Sequence, residues 1–373
     1  MRKNRVMCGG CWVWGLLLLL VPWSAVQGGI IFNFTDNTTG GMGSAALAAF
    51  NRAGLYYSSR LSDNMTVNLD IRMVALGAGI LGEATPAGVA VNYATFRSAV
   101  TATANLTSAA DAAFAAGLPA GSSFSLYVNR TNENSGSASE YVDDDGSVNN
   151  SSVVMTRANA KALGLIAGDS TVTDGSIEFN SAFAWDFDPT DGIDSDKIDF
   201  TAVAAHEIGH ALGFFSGVDQ IDFNAKSLTY VSGLDSYVSP LDFTRFSADS
   251  QAAGADIDMT ADAREKYFSI DGGVSILVSN AWSTGVNFGD SAQASHWKDN
   301  RGLGLLDPTL GFGELGLLST LDLTAFDVMG YELTTTAVPE PGQYFVLAIL
   351  CGAAGYRRYG RKGVFGSVQR EAA

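Results

Sequence analysis

Three patterns in the 373-residue chain predict an α+β fold built mainly as one large domain. Leu47, Phe50, Ala53 and Tyr57 recur at helical spacing within residues 44–61. Residues 65–73 then alternate apolar and polar side chains, the period of a half-buried strand. Residues 176–185 alternate similarly and lead, through an acidic turn, into an alanine-rich helix beginning after Asp199.

Between these elements, residues 92–117 read as alanine-rich helix, 124–128 as a strand, 133–151 as a polar acidic loop and 157–166 as a further helix. The turn over residues 186–199 holds Asp186, Asp188, Asp191, Asp194 and Asp196, spaced like oxygen ligands for Ca2+. It lacks the terminal Glu of the twelve-residue calcium loop, so a solvated turn is the competing reading. No internal repeat is visible.

Charged residues make up only 16% of the chain and hydrophobic ones 47%, a balance that fits a globular body and excludes a disordered one. The net charge is −17, and the basic residues at the two ends leave the body more acidic still. Such a body repels nucleic acid and anionic lipid, so no nucleic-acid partner is expected. The three cysteines, Cys8, Cys11 and Cys351, all lie in the terminal segments. The body therefore has no disulfide framework, no cysteine–zinc site and no cysteine to hold a metal in a latent state.

Residues 1–28 carry the parts of an export signal: Arg2, Lys3 and Arg5, an apolar run from Trp12 to Pro22, and small residues near Ser24, Ala25 and Gly28. At the other end, residues 334–342 form a linker containing Pro339-Glu340-Pro341. Residues 343–356 read as a short transmembrane helix and 357–373 as a basic cytoplasmic tail with Arg357, Arg358, Arg361 and Lys362. The ordered combination resembles the PEP-CTERM sorting signal of Gram-negative bacteria. That resemblance implies an exosortase-type sorting partner, transient inner-membrane anchoring, and delivery to the cell surface or an extracellular polysaccharide matrix. A permanent single-span anchor is the alternative.

The chemistry concentrates after Asp199, a residue suited to cap the helix that follows. His206 and His210 lie four apart, which puts both imidazoles on one helix face at the spacing of two corners of a zinc tetrahedron. Glu207 stands beside them as a candidate general base. A catalytic zinc needs a third protein ligand, and the one remaining histidine in the chain is His296. Asp219, soon after the helix, is the competing third ligand. Gly213 offers the positive φ needed to turn the chain off the helix.

The run His206-Glu-Ile-Gly-His210-Ala-Leu-Gly213 resembles the active-site helix of metzincin-type zincins. Members with short spacing carry a third histidine three residues after the glycine; this chain has Ser216 there. Leishmanolysin-like metallopeptidases insert a long segment first, and the Ser295-His296 context, the following turn and a closing helix over 321–333 match that order. The resemblance covers about residues 170–333 specifically. It implies a zincin-like catalytic domain over 29–333 with a mixed sheet, an insertion at about 217–295 and a C-terminal subdomain closed by a helix. Leu306 stands where the family's turn methionine is expected, and Met329 in the closing helix is read as core.

The expectation is a secreted zinc metalloendopeptidase in which His206, His210 and His296 hold the metal, Glu207 is the general base, and a protein or peptide is the substrate. Strand 177–183 is expected to pair with that substrate as a sheet edge. The alternative is a catalytically weak or inactive zincin-fold protein of the exopolysaccharide or biofilm matrix.

Overall fold

Strand β1 (Ile31–Asp36), helix α1 (Ser44–Ser58), strands β2 (Thr66–Val74), β3 (Gly82–Pro86) and β4 (Gly175–Asn180), and helix α2 (Phe200–Leu212) form the layer that carries the site. Two further helices complete it, α3 (Val218–Ser227) and α4 (Thr320–Val328). The computed structural model describes residues 29–104, 108–228 and 237–334. The segments expected as an export signal (1–28), a transmembrane helix (343–356) and a basic tail (357–373) lie outside the described residues. Among the described residues no helix is long and apolar enough to cross a membrane.

The sheet is mixed, with strand order β1-β2-β4-β3. β1 and β2 run parallel, β2 and β4 run parallel, and β3 lies antiparallel to β4 at the edge. β2 alternates as its sequence requires, with Val67, Leu69 and Ile71 facing the core. α1 buries Phe50, Ala53 and Tyr57 on the face set by their helical spacing. Alanines at 202, 204 and 205 make α2 slim enough to lie close to α1, where the Tyr57 hydroxyl donates to the Ala205 carbonyl at 2.8 Å.

Two expectations need correction here. Strand 177–183 is not an edge: β4 ends at Asn180 and is paired on both sides, by β2 and by β3, so the free edge beside α2 belongs to β3. Residues 92–117 form two helices, Tyr93–Thr103 and Ala109–Gly117, rather than one. Each has its own cap, Asn92 and Ser108, and alanine richness alone does not mark such a break.

The segment expected as an insertion, about 217–295, contributes to a second core. Val218, Ile221, Phe243, Ile257 and Ala294 share a second core with Tyr93, Phe96, Phe124, Val153 and Leu163. Phe243 stacks on Tyr93 and Phe96 with ring centroids 5.5 Å apart in each case. This lobe borders one side of the site, and the main sheet borders the other.

Candidate metal centre

α2 starts where Asp199 caps it, the carboxylate accepting the Ala202 N–H at 3.0 Å. It ends at Gly213, whose φ of 121° turns the chain so that the Phe214 N–H reaches the Gly209 carbonyl at 3.1 Å. His206 and His210 project from one face of the helix, as their spacing dictates. His296 approaches from a loop far along the chain.

The three Nε2 atoms form a nearly equilateral triangle. His206 to His210 is 3.0 Å, His210 to His296 is 3.1 Å and His206 to His296 is 3.2 Å. Each Nδ1 faces a carbonyl: Leu305 for His206 at 2.9 Å, Phe214 for His210 at 2.6 Å and Gln293 for His296 at 3.3 Å. A carbonyl only accepts, so each Nδ1 carries its proton and each neutral ring turns a bare Nε2 lone pair inward. Three lone pairs at this distance repel one another unless a cation lies between them. Donors held 2.0–2.1 Å from a tetrahedral zinc are about 3.3 Å apart, so these residues fit that ion.

Burial favours the same neutral state. It lowers His206 and His296 below the usual histidine range and takes His210 down to about 3, with the neighbouring imidazoles acting in the same direction on His210 and His296. Glu207 is only 6% exposed, and burial pushes it up to about 8, helped by the Glu83 carboxylate and opposed by the Ala84 backbone N–H. A dication beside it would act strongly in the opposite direction. The side chain lies against β3: a Cβ on Gly82 would stand 3.0 Å from both Glu207 Cγ and Oε1.

Leu305 and Leu306 form the floor. Leu306 is fully buried, and a Cβ on Gly209 would stand 2.9 Å from its Cδ1 and 2.7 Å from the Tyr57 hydroxyl. Asp322, on the first turn of α4, fastens this floor by accepting the Leu305 N–H at 2.8 Å and the Trp297 indole N–H at 2.7 Å. Sequence reasoning missed Asp322, because its partners lie 17 and 25 residues away. Met329 is buried in the main core, where Leu306 also packs.

Asp219 is not placed as a ligand. Its carboxylate is taken up by the Ala294 and Ser295 backbone N–H groups and the Ser295 hydroxyl. The calcium reading of the acidic turn finds no support either. Asp186 accepts the backbone N–H groups of Asp188 and Asp194, and Asp188 accepts that of Thr190, so these carboxylates brace the turn itself. Among the described residues the one group able to gather around a metal is His206, His210 and His296.

The site opens into a cleft of about 1260 Å³ between β3 and the second lobe. Ile80, Phe183, Leu310 and Phe312 line part of it, and Phe215, Tyr237 and Met155 line another part. Glu83, Asp299 and Asp307 also reach the cleft, and among the described residues none that lines it is lysine or arginine.

A protein-family model described as Matrixin matches residues 153–222, a stretch that includes α2 and the first half of α3. No curated protein and no solved structure is matched. Over residues 153–222 the chain is thus similar to metzincin-type zinc metallopeptidases, and its α+β fold with a mixed sheet is consistent with that type of domain.

Proposed function

We propose that the chain is an exported zinc-dependent endopeptidase. The observation that carries this reading is the convergence of three bare Nε2 atoms, each ring fixed through its Nδ1, in a cleft that also holds a buried carboxyl. His206, His210 and His296 hold the ion. When bound, zinc supplies the Lewis acidity that acidifies water to a pKa of about 7 and polarises a peptide carbonyl.

The chain's own groups do the rest. β3 presents an edge along the cleft on which an extended peptide can lie in hydrogen-bonding register. Glu207, wedged between α2 and Gly82, takes the proton from the attacking water and returns it to the leaving amine. The apolar walls hold side chains of the peptide and exclude bulk water.

The long spacing from His210 to His296 favours the leishmanolysin-like arrangement over the short-spaced one, and the Matrixin match ends well before His296. The terminal segments add the proposal of export, exosortase processing and residence at the cell surface or in an extracellular polysaccharide matrix. Glu207 also weighs against a merely structural role, since a structural zinc site needs no general base. The test is zinc content together with cleavage of an unstructured protein substrate by the purified chain, beside His206→Ala. One zinc and turnover in the parent, both lost in the variant, are expected. Metal-independent turnover would overturn the reading.

A further inference from the structure

His296 is the ligand least secured by its own surroundings. It lies 86 positions beyond His210, on a loop rather than a helix, and its Nδ1 contact to Gln293 is the longest of the three at 3.3 Å. Yet its Nε2 stands 3.1 and 3.2 Å from the other two, close to their own separation of 3.0 Å. Something outside the ring fixes the loop.

The donors just before His296 all point to one carboxylate. The Ala294 N–H reaches Asp219 Oδ1 at 2.6 Å, the Ser295 N–H reaches Oδ2 at 3.1 Å, and the Ser295 hydroxyl donates to Oδ2 as well. The Ser295 oxygen in turn accepts the Ser216 N–H at 2.9 Å, and the Ser216 hydroxyl donates to Asp242. Ser216 lies two residues beyond Phe214, whose carbonyl orients His210. The fastenings of His296 and His210 therefore meet at Ser216 and Ser295. One turn further along α3, Asp222 accepts the Asn287 and Phe288 backbone N–H groups at 2.9 Å each, holding the same loop farther from the imidazole.

We propose that Asp219 is the positioning residue of the metal centre: seated on the first turn of α3, it clamps residues 294 and 295 so that the His296 imidazole completes a triangle set by α2. The proposal rests on reading the three imidazoles as metal ligands. A carboxylate suits this task because it accepts several backbone donors at once through charge-assisted bonds, whereas an amide in its place turns its NH2 donor toward either the Ala294 or the Ser295 donors. Partners of this kind outside the ligand set govern metal affinity by a factor of ten to one hundred or so.

The experiment uses the full chain loaded with Co2+ or Zn2+, comparing the parent with Asp219→Asn, Asp219→Glu, Ser295→Ala and Asp222→Asn. Affinity is read by competition with a chromophoric chelator and geometry by the visible absorption of the Co2+ form, on protein whose fold is checked by circular dichroism. Asp219→Asn is expected to lose roughly 10- to 100-fold in affinity and to change the Co2+ spectrum. Asp219→Glu should recover part of the loss, and Asp222→Asn should stay within about twofold of the parent. Folded Asp219→Asn with the parent's affinity and spectrum would overturn the proposal while leaving the metal reading intact. Should Asp219→Asn not fold, Ser295→Ala decides: a severalfold loss with an altered spectrum supports the clamp, and no change overturns it. A parent chain that binds neither ion would overturn the metal reading and the clamp with it.

Discussion

Glu207 and its neighbour Gly82 make sharply different predictions from adjacent positions in space. On the proposed mechanism Glu207→Gln removes the proton acceptor but none of the ligands, so the chain should keep its zinc while turnover falls by about 10² to 10⁴. Metal analysis and initial rates on the same preparation check both halves. Gly82→Ala should act on Glu207 without changing it, because the added methyl would meet Glu207 Cγ and Oε1 at 3.0 Å and Val203 Cγ1 at 3.2 Å. The carboxylate must shift, and the expected result is a fall in kcat of about tenfold or more with zinc retained, since small misplacements of a reacting group are costly. A Gly82→Ala enzyme with parental kcat would show that Glu207 tolerates displacement.

At the scale of elements, α4 acts on the site through its first turn. Asp322 takes the Leu305 N–H, the Trp297 indole and the Ser319 N–H within 2.8 Å, tying the helix start, the residue after His296 and the floor below the imidazoles to one buried group. Asp322→Ala strands those donors and is expected to cost about 3 kcal/mol or more, measured by denaturant unfolding of the metal-free chain. The α1–α2 contact has less to give. Gly209→Ala would press on the Tyr57 hydroxyl and Leu306 at once and should destabilise by about 1–3 kcal/mol.

Across the whole molecule, pH and charge set the working conditions. The three imidazoles have lowered affinity for protons in the fold, whereas the unfolded chain takes them up near pH 6.5. At these three sites the unfolded state thus binds more protons below that value, so their contribution to the stability of the metal-free chain should fall as pH drops from about 6.5 toward His210's value of about 3, while Glu207, raised to about 8, contributes in the opposite sense. Melting temperatures between pH 7.5 and 5, compared with His210→Ala, check the sign: the parent's acid slope should be steeper. Zinc supplied at one hundred times Kd should raise stability by about 2.7 kcal/mol, and a chelator should reverse it. The absence of lysine and arginine from the cleft lining, beside Glu83, Asp299 and Asp307, predicts faster cleavage of lysine-bearing peptides than of their glutamate analogues, with the gap narrowing in high salt.

What the sequence determined is local. The 3.6-residue period of Leu47 to Tyr57, the alternation of residues 65–73, the cap at Asp199 and the i, i+4 pair of histidines each depend on neighbours within a few residues, and α1, β2 and α2 appear where those signals stand. The scarcity of histidine pointed to His296 by count alone. What fastens its loop was not legible, because that pairing is made 75 residues apart, between Asp219 and Ala294. β3 escaped notice since Gly82–Pro86 has neither alternating apolar residues nor length, and its strand character comes from pairing with β4. The interior placement of β4 was hidden for the same reason: which strand is an edge is a property of sheet order. Asp219 shows the division best. Its position soon after α2 made a ligand reading reasonable from the sequence, and only the tertiary structure, by delivering the backbone N–H groups of residues 294 and 295 to its carboxylate, joined it to the loop instead.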